Sequence, residues 1–274
     1  MSAAPAWPRA VVAAWLLALG LCPAGATPPP SEVSRVVGSS IEIVDAAGHL
    51  HAGLGLAGLE LTLGDNGPRL RIVSVIDAGA GVLLHEIEAL HPAGGWANVC
   101  EPDRDQRRLA LFIEGYDLPD GRQVREAGRV SITCSAGVQG KCLRAGYHPW
   151  DESRGPGTGQ ALFQACTRMF RADYCGDGIG WTRNGMPVDI FDVHGIQQAA
   201  DPATWPLEAA WGPDGAVCVH HTRVLQRGTM AALLAHCPRL AEPPVGKGCT
   251  EAVARGLPGA LMFIRSADEA QTGR

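Results

Sequence analysis

The chain has 274 residues, 46% of them hydrophobic and 19% charged, with a formal net charge of −5. That length can bury a substantial core, in one large domain or two small ones. A mildly acidic balance, with Lys141 and Lys247 as the only lysines, argues against nucleic acid or an anionic membrane surface as the main partner.

The first residues carry one base, Arg9, and no acid. An apolar run from Ala10 to Cys22, broken only by Gly20, leads to Ala24-Gly25-Ala26. This reads as a cleaved secretory signal over 1–26. The run is shorter than the roughly 20 apolar residues of a membrane span, so no stable membrane anchor is expected after cleavage. The expected location is secreted or periplasmic. Residues 27–38 carry three consecutive prolines near their start, Pro28 to Pro30, and read as a stiff, exposed linker.

A β-rich region follows over 39–95. Ile41 and Ile43 alternate with polar neighbours, as do Leu59, Leu61 and Leu63. After Gly64-Asp65-Asn66-Gly67, Leu70, Ile72 and Ser74 share one face, with Arg69, Arg71 and Val73 on the other. Two alternating runs joined by Asn-Gly predict a hairpin. Further strands are expected at Val82 to Glu88, Arg108 to Glu114 and Arg129 to Cys134. Gly53-x-Gly55-x-x-Gly58 matches a dinucleotide fingerprint in letters, but a strand pattern follows it where a helix is needed, so it is set aside.

Asp151 to Gly159 is a loop by composition. Leu162, Phe163, Cys166, Met169 and Phe170 then fall at i, i+1, i+4, i+7 and i+8, a helical stripe that reads as core. Strands are expected at Val188 to Phe191 and Ala216 to His220, a short helix at Thr229 to His236, and a frayed tail from Ser266 to Arg274. The fold class expected is α+β: a β-rich antiparallel N-terminal part, with a disulfide-stapled C-terminal part carrying one or two short helices.

After Cys22 the cysteines are Cys100, Cys134, Cys142, Cys166, Cys175, Cys218, Cys237 and Cys249. An even number in an oxidising compartment predicts four disulfides, with the pairing left open. All eight follow Val99, so the stretch before them must hold itself by apolar packing. Zinc is disfavoured: there is no C-x-x-C, and export works against a thiolate site at Cys218, His220 and His221. No metal and no cofactor is expected.

Gln164 to Asp189 reads Gln-Ala-Cys-Thr-Arg-Met-Phe-Arg-Ala-Asp-Tyr-Cys-Gly-Asp-Gly-Ile-Gly-Trp-Thr-Arg-Asn-Gly-Met-Pro-Val-Asp. This resembles the bacterial ADYC domain family, named for the residues seen here as Ala172, Asp173, Tyr174 and Cys175. The resemblance begins near Trp96 and Cys100 and takes in Lys141-Cys142 and Gly146-Tyr147-His148-Pro149-Trp150. It runs through Trp211 and Gly215-Ala216-Val217-Cys218 to about Arg223. An ADYC-like domain is therefore expected over 96–240, with a C-terminal extension over 241–274. The resemblance implies no activity, substrate or catalytic residue to carry over.

The chemical constellations are partial. Asp173-x-x-x-Asp177-Gly178 mimics a calcium loop, but Cys175 and Asn184 stand where oxygen ligands are needed. A thiol enzyme would use Cys166 or Cys175 with His194, His220 or His221, oriented by Asp192. Asp173 with Asp189 or Asp192 could form a carboxylate pair. No G-x-S-x-G elbow is present. Tyr147, Trp150, Tyr174 and Trp181 can build a cleft or a small core, and core is the expectation. The expected contact region is Arg171, Asp173, Tyr174, Asp177, Trp181, Asp189, Asp192 and His194. The function expected is a non-enzymatic binding or structural module for an unknown protein or small-molecule ligand. The alternative is an exported, hydrolase-like enzyme with a Cys–His or paired-carboxylate site around the same motif.

Overall fold

The computed structural model describes residues 31–63, 67–242 and 244–268. The expected signal and the tail beyond 268 lie outside the described residues. The N-terminal half is β1 (Ser31–Val37), β2 (Ser40–Val44), β3 (Leu50–His51), β4 (Glu60–Thr62), β5 (Arg69–Asp77), β6 (Leu83–Leu90), β7 (Trp96–Asn98) and β8 (Ala110–Glu114). A small ribbon, β9 (Tyr116–Asp117) with β10 (Gln123–Val124), precedes β11 (Val130–Cys134), which returns to pair with β8. The sheet order is β11-β8-β6-β5-β4-β1-β2-β3, with β7 beside β6. Every pair is antiparallel except β1 with β4. Ser31–Val37, expected as part of an exposed linker, is thus a strand held by pairing with both β2 and β4.

The expected hairpin is β4–β5, with Leu61 opposite Leu70 and Thr62 opposite Arg69. Its alternation reflects one buried face: Ile41, Ile43, Leu61, Leu70, Ile72, Ile87 and Phe112 form one apolar core. The sheet curls round this core, and the Phe112 N–H donates to the Ser39 carbonyl at 3.0 Å.

The C-terminal half is α1 (Val138–Arg144), α2 (Thr158–Arg171), β12 (Val188–Asp192), β13 (Leu207–Gly212), β14 (Gly215–Val219), α3 (Met230–His236), α4 (Glu251–Ala254) and β15 (Met262–Ser266). Its sheet runs β12-β15-β13-β14, antiparallel throughout. The helix α2 packs against β13, β14 and β15, burying Leu162, Phe163, Cys166 and Met169 as the stripe predicts. It ends where Ala172 turns left-handed (φ 50°) and the Asp173 N–H reaches back to the Arg168 carbonyl. The stretch expected as an extension supplies β15, an interior strand between β12 and β13. Ser266, placed by the sequence in a frayed tail, is wholly buried.

Strand β8 belongs to both halves. Ala110 and Phe112 point into the first core, while Leu111 and Ile113 enter a second core with α1 and α2. Burial on both faces explains its unbroken apolar sequence.

All eight cysteines after Cys22 are paired: Cys100–Cys134, Cys142–Cys166, Cys175–Cys237 and Cys218–Cys249. The second ties α1 to α2, and the third ties the turn after α2 to the end of α3.

Candidate functional site

The four residues Ala172 to Cys175 act as a structural knot. Ala172 stops α2. The Asp173 carboxylate is fully buried; it pairs with Arg168 and accepts the N–H groups of Gly176, Asp177 and Gly178 at 2.9–3.1 Å. Gly176 is required there, because a Cβ would stand 2.1 Å from the Asp214 carbonyl oxygen. Arg168 also donates to the Asp120 and Pro213 carbonyls. The buried Tyr174 hydroxyl donates to Glu208 at 2.9 Å and accepts the Arg223 N–H. Burial pushes the Tyr174 hydroxyl well above its ordinary range. Glu208 is also held by the Arg223 guanidinium and the Ser266 hydroxyl. Cys175 is bonded to Cys237.

The remaining sequence-derived candidates have partners of their own. Asp192 accepts the Tyr147 hydroxyl at 3.0 Å and the N–H groups of His194, Ile196 and Gln197. Asp189 pairs with Arg265 at 3.0 Å and accepts the Ala200 N–H. Asp177 meets His236 at 2.7 Å. Trp181 and Tyr174 are core residues, with Tyr174 stacked on Trp211 at 5.1 Å between centroids; Trp150 is half-buried. His194 is exposed. The paired carboxylates Asp173, Asp189 and Asp192 are therefore each engaged separately. Both candidate nucleophiles, Cys166 and Cys175, are half-cystines. His221 meets the Ser266 hydroxyl at 3.2 Å, and His220 the Cys249 carbonyl at 3.2 Å.

Of the candidates, Arg171 lines a groove, and the rest of that groove escaped the sequence reading. It consists of three adjoining clefts along α1. The first, about 280 Å³, is lined by Asp117, Gln139, Thr167 and Arg171. The second, about 390 Å³, shares Val138 and Arg171 with the first and adds Lys141, Phe170, Asn184 and Met186. The third, about 720 Å³, shares Lys141, Phe170 and Asn184 with the second and adds Ser135, Arg144 and Gln197.

Three cations of this groove, Lys141, Arg144 and Arg171, make no ion pair among the described residues. Three acids border it, Asp103, Asp105 and Asp117. Asp103 is held below its usual range, chiefly by the Arg107 N–H, and Asp117 is raised by burial while Gln139 donates to it at 2.6 Å. The Ser135 hydroxyl on the wall is buried and has no hydrogen-bond partner among the described residues.

The sequence signal was available. Lys141 is one of two lysines, and Arg144 follows it at i+3, on one face if the segment is helical. The helix was missed because Gly140 interrupts it. That glycine is dictated by packing: a Cβ there would lie 2.2 Å from the Cys134 carbonyl oxygen.

A family model described as the ADYC domain matches residues 53–225, so the match includes strands ahead of Trp96. No curated protein and no solved structure matches the chain.

Proposed function

The chain belongs to the ADYC domain family, and on that footing we propose that it is an exported, non-enzymatic binding module whose contact surface is the groove along α1. Its disulfides suit an oxidising, extracellular or periplasmic compartment, and the pattern over 1–26 supplies the export signal.

The observation that carries the reading is the state of the cations. The chain has 28 acids against 23 lysines and arginines, and Arg168, Arg223 and Arg265 each hold a carboxylate inside the fold. Lys141, Arg144 and Arg171 make no such buried pair; Arg144 and Arg171 act on Asp103 and Asp117 only through space, and all three lie beside the apolar surfaces of Phe170 and Met186. The complement of such a groove is an acidic segment with apolar side chains, supplied by a partner protein.

The test is fluorescence anisotropy of the oxidised protein with a labelled peptide of alternating glutamate and leucine, against a lysine–leucine peptide. The acidic peptide binds, and added salt weakens it. The charge reversals K141E and R144E together weaken it about tenfold or more. Equal binding of both peptides, or undiminished binding to the double variant, would overturn the reading.

A further inference from the structure

The four disulfides differ in their surroundings. Cys142, Cys166, Cys218 and Cys249 are wholly buried. Cys100 is buried, and its half-buried partner Cys134 packs against the first apolar core. Cys175 is likewise half-buried and packs against the second core, but two polar side chains also close round its sulfur. One ring nitrogen of His236, one carboxylate oxygen of Asp177 and the Cys175 sulfur all lie within 4.8 Å of one another. His236 and Asp177 are each more than a third exposed, at 36% and 37%, and are joined at 2.7 Å. The Trp181 ring lies 5.9 Å from the His236 ring. A disulfide with one approachable sulfur beside an imidazole ring has the environment that thiol exchange requires.

We propose that Cys175–Cys237 is an exchangeable disulfide, opened by an external dithiol while the rest of the fold stays intact, and that His236, positioned by Asp177, stabilises the Cys175 thiolate so released. In the first step a thiolate of the dithiol attacks the Cys175 sulfur, the accessible member of the pair; Cys237 is only 2% exposed. The bond between the two protein sulfurs breaks, and its electron pair leaves on the Cys237 sulfur, which takes up a proton. The second thiol of the dithiol, once deprotonated, attacks its own sulfur in the mixed disulfide and expels Cys175 as thiolate. The dithiol is oxidised to a disulfide, and the protein pair gains the same two electrons.

The fold around the bond tolerates its opening. Leu233 of α3 stays buried in the second core. Arg239, two residues beyond Cys237, donates to the carbonyls of Ala216, Tyr174 and Asp214 at 2.7–3.0 Å. The chain is therefore anchored on both sides of Cys237 by contacts that do not involve sulfur.

The experiment treats the full oxidised chain with graded dithiothreitol under native conditions, followed by quenched alkylation and mass mapping. Cys175 and Cys237 label first, at least about tenfold faster than the other six, while near-ultraviolet circular dichroism is retained. His236→Gln and Asp177→Asn slow alkylation of the released Cys175 near neutral pH several-fold, because its thiolate loses its stabilising partner, and leave the other three bonds unchanged. Opening of Cys100–Cys134 at the same rate, or simultaneous labelling of all eight cysteines on unfolding, would overturn the proposal. An unchanged alkylation rate in both variants would remove the role assigned to His236.

Discussion

His85 shows what burial does to a single titratable group. The ring is 0% exposed, edge-on to Phe112 at 5.0 Å, with Nε2 3.0 Å from the Ser40 hydroxyl. Burial lowers its pKa from 6.5 to about 4. The unfolded chain takes up a proton near pH 6.5 that the folded chain refuses until about pH 4, so unfolding binds a proton across that window. Stability is complete above the window and falls as pH drops through it, by up to about 3 kcal/mol at its acid end. Urea denaturation at steps of pH from 7 to 4 would show the midpoint falling, and His85→Gln would flatten the fall. His221, also lowered by burial, leaves a residual slope. The same scale explains why the candidate residues were only partly legible. Aspartates beside glycines have one appearance in sequence whether they face a ligand or their own backbone N–H groups. Asp173 answers to Arg168 and the turn at 176–178, and Asp192 to Tyr147, 45 positions away in the chain. Such partners are set by tertiary packing, which spacing does not encode.

At the scale of elements, legibility follows exposure. Strands β2, β4 and β5 bury one face and so alternate, and α2 carries a one-sided stripe. Strand β13, Leu-Glu-Ala-Ala-Trp-Gly, is buried at every position, and β15 likewise; neither alternates, and neither was anticipated. Glu208 within β13 is hidden only because Tyr174, Arg223 and Ser266 surround it. Helix α1 is short and depends on its covalent tie. The Cys142–Cys166 bond spans 24 positions and joins the helix that carries Lys141 and Arg144 to α2. Replacing both cysteines by alanine should cost about 3 kcal/mol, read as a lowered calorimetric midpoint. It should also weaken binding of the acidic peptide, because the cations lose their fixed spacing.

For the whole molecule, the expected boundary at residue 96 falls inside a shared structure. Strand β8 pairs with β11 and touches β6 through His85 and Ala110, and its two faces serve both cores. The second sheet needs β15, which lies beyond residue 240. A fragment of residues 96–240 should therefore lack both the first core and an interior strand. Its amide spectrum should be collapsed and its circular dichroism without cooperative melting, while the full chain melts in one transition. A well-dispersed spectrum from that fragment would contradict the shared-strand account.

A strand with two masters leaves each half hostage to the other. A flaw introduced under the curled sheet reaches the helices through Leu111 and Ile113, so lesions in either half should be felt in both.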